Sequence, residues 1–166
     1  DTNDAGNSGN LMSAPGAFPV LGTPTLLLSF ANLEPLALNG AGGLLLTDAS
    51  GTPATSSLTL TDTGAATQIA GNNGFATTSF TGFQAAVVVG GDGAETLDVV
   101  SVDNAALTGL TLFGGNTNDL LTLPGGDASA DTLRIQSLPA TIAASLNGNA
   151  GSDTFQLYDA GNTVDN

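Results

Sequence analysis

Short apolar stretches alternate with turn-forming clusters along most of this chain. From residue 36 the apolar pieces are Leu36-Ala-Leu38, Leu44-Leu-Leu46, Leu58-Thr-Leu60, Gln68-Ile-Ala70, Thr78-Ser-Phe80 and Val87-Val-Val89. The beat continues through Leu97-Asp-Val-Val100, Leu110-Thr-Leu-Phe113, 120–123, Leu133-Arg-Ile135, 141–146 and 155–158. Between them sit Asn39-Gly-Ala-Gly-Gly43, 48–53, Asp62-Thr-Gly64 and Gly71-Asn-Asn-Gly74. Strands of a few residues, with turns roughly every 10–12 residues, predict an all-β fold. Only 26–38 has a length that suits a helix. It lacks an amphipathic face and contains Pro35, so strands are expected there too.

The second half, 85–166, adds a repeated phrase. Its copies begin at Gly90, Gly114, Gly126 and Gly148, at intervals of 24, 12 and 22 residues. Each opens on glycine and carries an acid at its sixth place: Glu95, Asp119, Asp131 and Asp153. A large apolar residue follows two places later: Leu97, Leu121, Leu133 and Phe155. Internal repetition with small turn residues and few aromatics predicts a parallel β-helix, a β-solenoid of short strands joined by Gly/Asn/Asp turns. A β-sandwich is the alternative. It would join antiparallel neighbours around an aromatic-rich core. The expected organisation is an extended N-terminal arm at 1–24, with a short strand near 17–21, followed by one solenoid domain at 25–166. Pro15, Pro19 and Pro24 keep the arm from forming helix.

The fullest copy, Gly90-Gly-Asp-Gly-Ala-Glu-Thr-Leu-Asp98, resembles the glycine/aspartate nonapeptide of the RTX, or haemolysin-type, family. In that family glycines free backbone carbonyls to face a cation, an acid supplies carboxylate, and the large apolar residue plugs a parallel β-roll. The resemblance implies bound Ca²⁺, with Asp92, Glu95, Asp119, Asp127, Asp131 and Asp153 as its ligands. It also implies secretion by a bacterium and an extracellular or cell-surface location. The copies depart from the pattern: Glu95 replaces aspartate, Thr117 and Ser129 replace a glycine, and the tandem nine-residue spacing is absent. The same acids also serve as turn formers, since an Asp side chain after glycine bonds nearby backbone N–H groups.

Composition narrows the function classes. The 166 residues contain 15 acids, one basic residue (Arg134), no histidine and no cysteine, for a net charge of −14. Nucleic-acid binding requires cations along the phosphates, and this chain lacks them. No apolar run is long enough to insert in a membrane as a helix. Triad chemistry lacks its histidine base. A polysaccharide-active β-helix would have to work without Lys, His or Trp. Thr59-Leu-Thr-Asp-Thr63 raises ice binding through rows of threonine, but one run is not a row. Arg134 is expected to pair with Asp131 or with an acid on a neighbouring coil.

The reading these features favour is a non-catalytic, secreted structural protein. It would self-associate through the N-terminal arm or the solenoid ends into an extracellular fibre, sheath or surface layer. The alternative is a repeat segment of a large calcium-binding adhesin.

Overall fold

The computed structural model describes residues 8–14, 25–31, 35–47, 57–72, 75, 77–91, 93–102, 105–115 and 129–158. Those residues form thirteen strands and no helix. The first strands are β1 (Ser8–Ala14), β2 (Thr25–Ala31), β3 (Leu36–Asn39), β4 (Gly43–Thr47) and β5 (Ser57–Asp62). Then come β6 (Thr67–Gly71), β7 (Thr78–Thr81), β8 (Ala85–Val89) and β9 (Thr96–Val99). The last are β10 (Gly109–Phe113), β11 (Thr132–Ile135), β12 (Ala143–Asn147) and β13 (Thr154–Leu157).

Two sheets hold them, in the orders β1-β2-β4-β8-β10-β12 and β13-β11-β9-β5-β6-β7-β3. From β8 onward, successive strands fall alternately in the first sheet and the second. Neighbours are parallel except for β1–β2, β5–β6 and β6–β7. The hairpins expected of a β-sandwich are therefore confined to one end. Parallel neighbours need a crossing connection, and here the crossing runs through the opposite sheet.

Register follows from the side-chain period of two. On the second sheet Leu58, Leu97, Leu133 and Phe155 align across four strands, and Leu60, Val99, Ile135 and Leu157 align beside them. On the first sheet Leu44, Ala86, Leu110 and Ala144 align, as do Leu46, Val88, Leu112 and Leu146. The members of these columns from β4, β5, β8, β9, β10 and β11 meet between the sheets in one core, which also takes in Ile69, Phe80 and Phe83. A slip of one residue would turn a whole column to solvent, so burial locks the register. The ring of Phe80 meets that of Phe83 edge-on at 6.5 Å between centroids.

The sheets differ on their outer faces. On the second, burial alternates strictly in β9 and β11, so its outer face is wet. On the first, Leu45, Val87, Val89 and Phe113 form a separate buried cluster on the face away from the main core. That explains why 44–46 and 85–89 read as unbroken apolar runs: strands covered on both faces have no polar alternation.

Most strands lie where the apolar rhythm places them. The expected piece at 120–123 falls outside the described residues, as does the strand near 17–21. Residues 8–14 carry no periodicity, yet β1 pairs antiparallel along the whole of β2 and so joins part of the N-terminal region to the first sheet.

Leu97 is fully buried in the middle of its column, whereas Phe155 at the end of the same column is 51% exposed. Leu97→Ala is expected to lower the unfolding free energy by about 2–5 kcal/mol. Phe155→Ala should cost about 1 kcal/mol, because half of that ring already stays in water. Urea titration of both variants, followed by far-UV circular dichroism, checks the contrast.

Candidate functional site

The repeated phrase builds the corners that carry the chain from the first sheet to the second. One corner spans 90–95 between β8 and β9, the next 114–131 between β10 and β11, and the last 148–153 between β12 and β13. Each begins with a glycine in register with the others. Gly90 N–H donates to the Phe113 carbonyl at 2.9 Å, and Gly114 N–H to the Asn147 carbonyl at 2.8 Å.

Each corner ends with an acid, and the acids form a ladder. Glu95 N–H donates to Asp131 Oδ1 at 2.9 Å. Asp131 N–H in turn donates to Asp153 Oδ1 at 3.0 Å. The backbone continues the pairing beside them, with Thr132 N–H on the Glu95 carbonyl and Thr154 N–H on the Asp131 carbonyl, both 2.8 Å. Glu95 also reaches back within its own corner, where its Oε1 accepts from Gly93 N–H at 3.1 Å. Glu95 and Asp131 are each 2% exposed. Burying a carboxylate is costly without hydrogen-bond donors, and backbone N–H groups supply them here.

The leading glycines are explained by the same packing. A Cβ on Gly114 would collide with the carboxylate of Asp131, and one on Gly148 with the carboxylate of Asp153. Each acid therefore lies against the backbone where its corner begins. That contact requires glycine for want of space rather than for backbone freedom.

In the sequence Gly114 shares its phrase with Asp119, and Gly126 shares its phrase with Asp131. In the fold Gly114 packs against Asp131, and Asp119 and Gly126 lie outside the described residues. Four phrases make three corners. The 12-residue interval falls between β10 and β11, where the connection is longer in sequence than at the other two corners.

Of the six expected calcium ligands, Asp92, Asp119 and Asp127 lie outside the described residues. The other three, Glu95, Asp131 and Asp153, occupy successive levels of the ladder. Among the described residues no three acids are grouped so as to hold a metal ion. One oxygen of each of the three carboxylates is already engaged by a backbone N–H, whereas a shared cation would need the oxygens of adjacent levels turned to one point. These three residues do not fit the calcium cage that the resemblance implies.

On the outer face of the second sheet, register aligns Thr59, Asp98, Arg134 and Gln156. Arg134 pairs with Asp98 at 3.4 Å and donates from Nε to Gln156 Oε1 at 2.8 Å. Gln136 Nε2 adds bonds to both oxygens of Asp98, at 2.9 and 3.0 Å. Arg134 thus meets an acid on a neighbouring strand, not Asp131. With side-chain exposure of 32% and 14%, this pair is worth at most about 1 kcal/mol. Sequence reasoning passed over Asp98, although it sits at the end of the fullest phrase. Thr59 shares its row with these charged and amide groups, while Ser57, Thr96, Thr132 and Thr154 align in the next row.

Comparison with known proteins finds no matching family model, no similar curated protein and no similar solved structure.

Removing a ladder acceptor strands a buried donor. Asp131→Ala is expected to destabilise the fold by about 1–3 kcal/mol, through the Glu95 N–H it leaves unbonded. Asp131→Asn, which keeps an oxygen in place, should recover much of that loss in the same urea titration. Equal losses for the two variants would show that the hydrogen bond is not what matters there.

Proposed function

We propose that this chain is a β-solenoid whose coils stack through the acid–glycine corners, and that it serves as a secreted, non-catalytic structural protein that self-associates into an extracellular fibre, sheath or surface layer. Strands alternate between two sheets and stack in parallel, as successive coils would. The acids act as corner braces, which gives them a role without chemistry on a substrate.

One observation carries the assembly reading. At the β12–β13 end the core columns run out into solvent. Phe155 is 51% exposed, Leu157 38% and Tyr158 65%, although their column partners Leu133 and Ile135 are buried. Among the described residues β12 and β13 carry neither a charge nor a proline, and a strand edge of that kind is open to another strand pair. In a repeat segment of a larger adhesin, the following coil would cover this end instead.

Sedimentation velocity and electron micrographs of the purified chain test the reading. Filaments are expected, and their yield should rise with salt. Copies of net charge −14 repel one another, and the Debye length shortens from about 30 Å at 0.01 M to about 8 Å at 0.15 M. A chain that stays monomeric throughout would favour the adhesin segment.

Calcium is addressed by a melt in Ca²⁺ and in EGTA. With the acids serving as hydrogen-bonded braces, the two melting temperatures should agree. A rise in Ca²⁺ would overturn that role and return attention to Asp92, Asp119 and Asp127.

A further inference from the structure

The two ends of the second sheet match each other. β13 is parallel to β11, β9 and β5; β6 then runs antiparallel to β5, and β7 antiparallel to β6. β3, at the far edge, is parallel to β7. Two reversals cancel, so β3 and β13 point the same way. A translated second copy therefore presents β3 to β13 as a parallel neighbour, which is how the β5, β9, β11 and β13 ladder is already built.

Hydrogen-bond polarity agrees. Thr154 N–H and Tyr158 N–H donate toward β11, to Asp131 and Ile135 carbonyls at 2.8 and 2.9 Å. By the alternation of a parallel ladder, the N–H and C=O groups of Phe155 and Leu157 face away from it. At the other edge Leu36 and Gly40 donate toward β7, at 2.9 and 3.2 Å, so those of Ala37 and Asn39 face outward. The pairing that joins these groups sets Ala37 opposite Gln156, Leu36 opposite Phe155 and Leu38 opposite Leu157.

That register also continues the core. Leu36 and Leu38 align with Thr78 and Phe80 on the inward side of their own copy, as Phe155 and Leu157 align with Leu133 and Ile135. Stacking Leu36 on Phe155 and Leu38 on Leu157 makes one column through both molecules. The two edge strands themselves carry no guarding residue. The chain has 15 acids, yet β3 (LALN) and β13 (TFQL) contain no charged residue and no proline.

We infer that the assembly proposed above is polar and head-to-tail, with β13 of one copy pairing in parallel with β3 of the next at the register Phe155–Leu36 and Leu157–Leu38. The inference rests on the structural-protein reading. It makes the interface heterologous, and copies related by translation, with no rotation that closes a ring, yield a filament.

Two variants, each blocking one end, test it. Ala37→Pro removes an N–H that faces away from β7, and Leu157→Lys puts a charge on the last core column. Each alone should raise the critical concentration for filaments about tenfold or more, or abolish them. Mixed in equal amounts, they should form dimers that do not grow, because the intact β13 of A37P accepts the intact β3 of L157K. Such dimers would also show that both variants fold. Filaments of the unaltered chain that persist in both variants would overturn this junction and leave the structural reading standing. Variants that lose filaments, keep native circular dichroism and yet form no mixed dimer would overturn it as well. An unaltered chain that never assembles would overturn both.

Discussion

Parallel stacking of equivalent residues is the constraint on which this structure depends. Between β5 and β13 each strand of the second sheet repeats the inward pattern of its neighbour, so apolar residues form columns and not isolated contacts. Each column member is covered by the one before it and the one after it. Stability in such an arrangement is a sum of neighbour terms, and burial depends on having a neighbour on both sides. The central members Leu97 and Leu133 are fully buried, and the terminal Phe155 is half in water for that reason alone.

The corners are the second necessity. A chain that crosses between sheets exposes backbone donors at every crossing, and those inside the fold must be bonded. Here Asp131 and Asp153 each accept from the backbone N–H of the acid one level away, so successive corners are tied to each other. The arrangement leaves no space for a side chain at Gly114 or Gly148. It also tolerates an insertion. The corner at 114–131 is far longer than its neighbours, yet its first and last residues keep their places. What recurs in the sequence is therefore the two ends of a corner, not a block of fixed length.

A fold made of neighbour terms has ends, and its ends have consequences. The strongly acidic composition opposes association in general, while the strand edges at β3 and β13 lack the charges that would oppose it locally. In the assembly proposed above, repulsion spread over the surface and strand pairing confined to the ends together favour growth along one direction. The outer face of the second sheet, with its Asp98–Arg134–Gln136 cluster, is polar and has no such attraction.

The sequence by itself determined the strands and the all-β class, because short apolar pieces with a period of two can bury one face only as strands between tight turns. It also carried the acids and glycines of the corners, since residues that must meet at every level recur. It did not determine which glycine meets which acid. Gly114 with Asp119, and Gly126 with Asp131, satisfy the local spacing equally. The contact of Gly114 with Asp131 does not follow that spacing and comes from the stacking of Asp131 between Glu95 and Asp153. The same holds for β1. Ser8–Ala14 has no apolar rhythm, and it becomes a strand because the edge of β2 offers it hydrogen bonds. Periodicity records what a segment buries along its own length. Partners distant in sequence are chosen by the tertiary structure, where backbone donors and acceptors from separate levels come within reach.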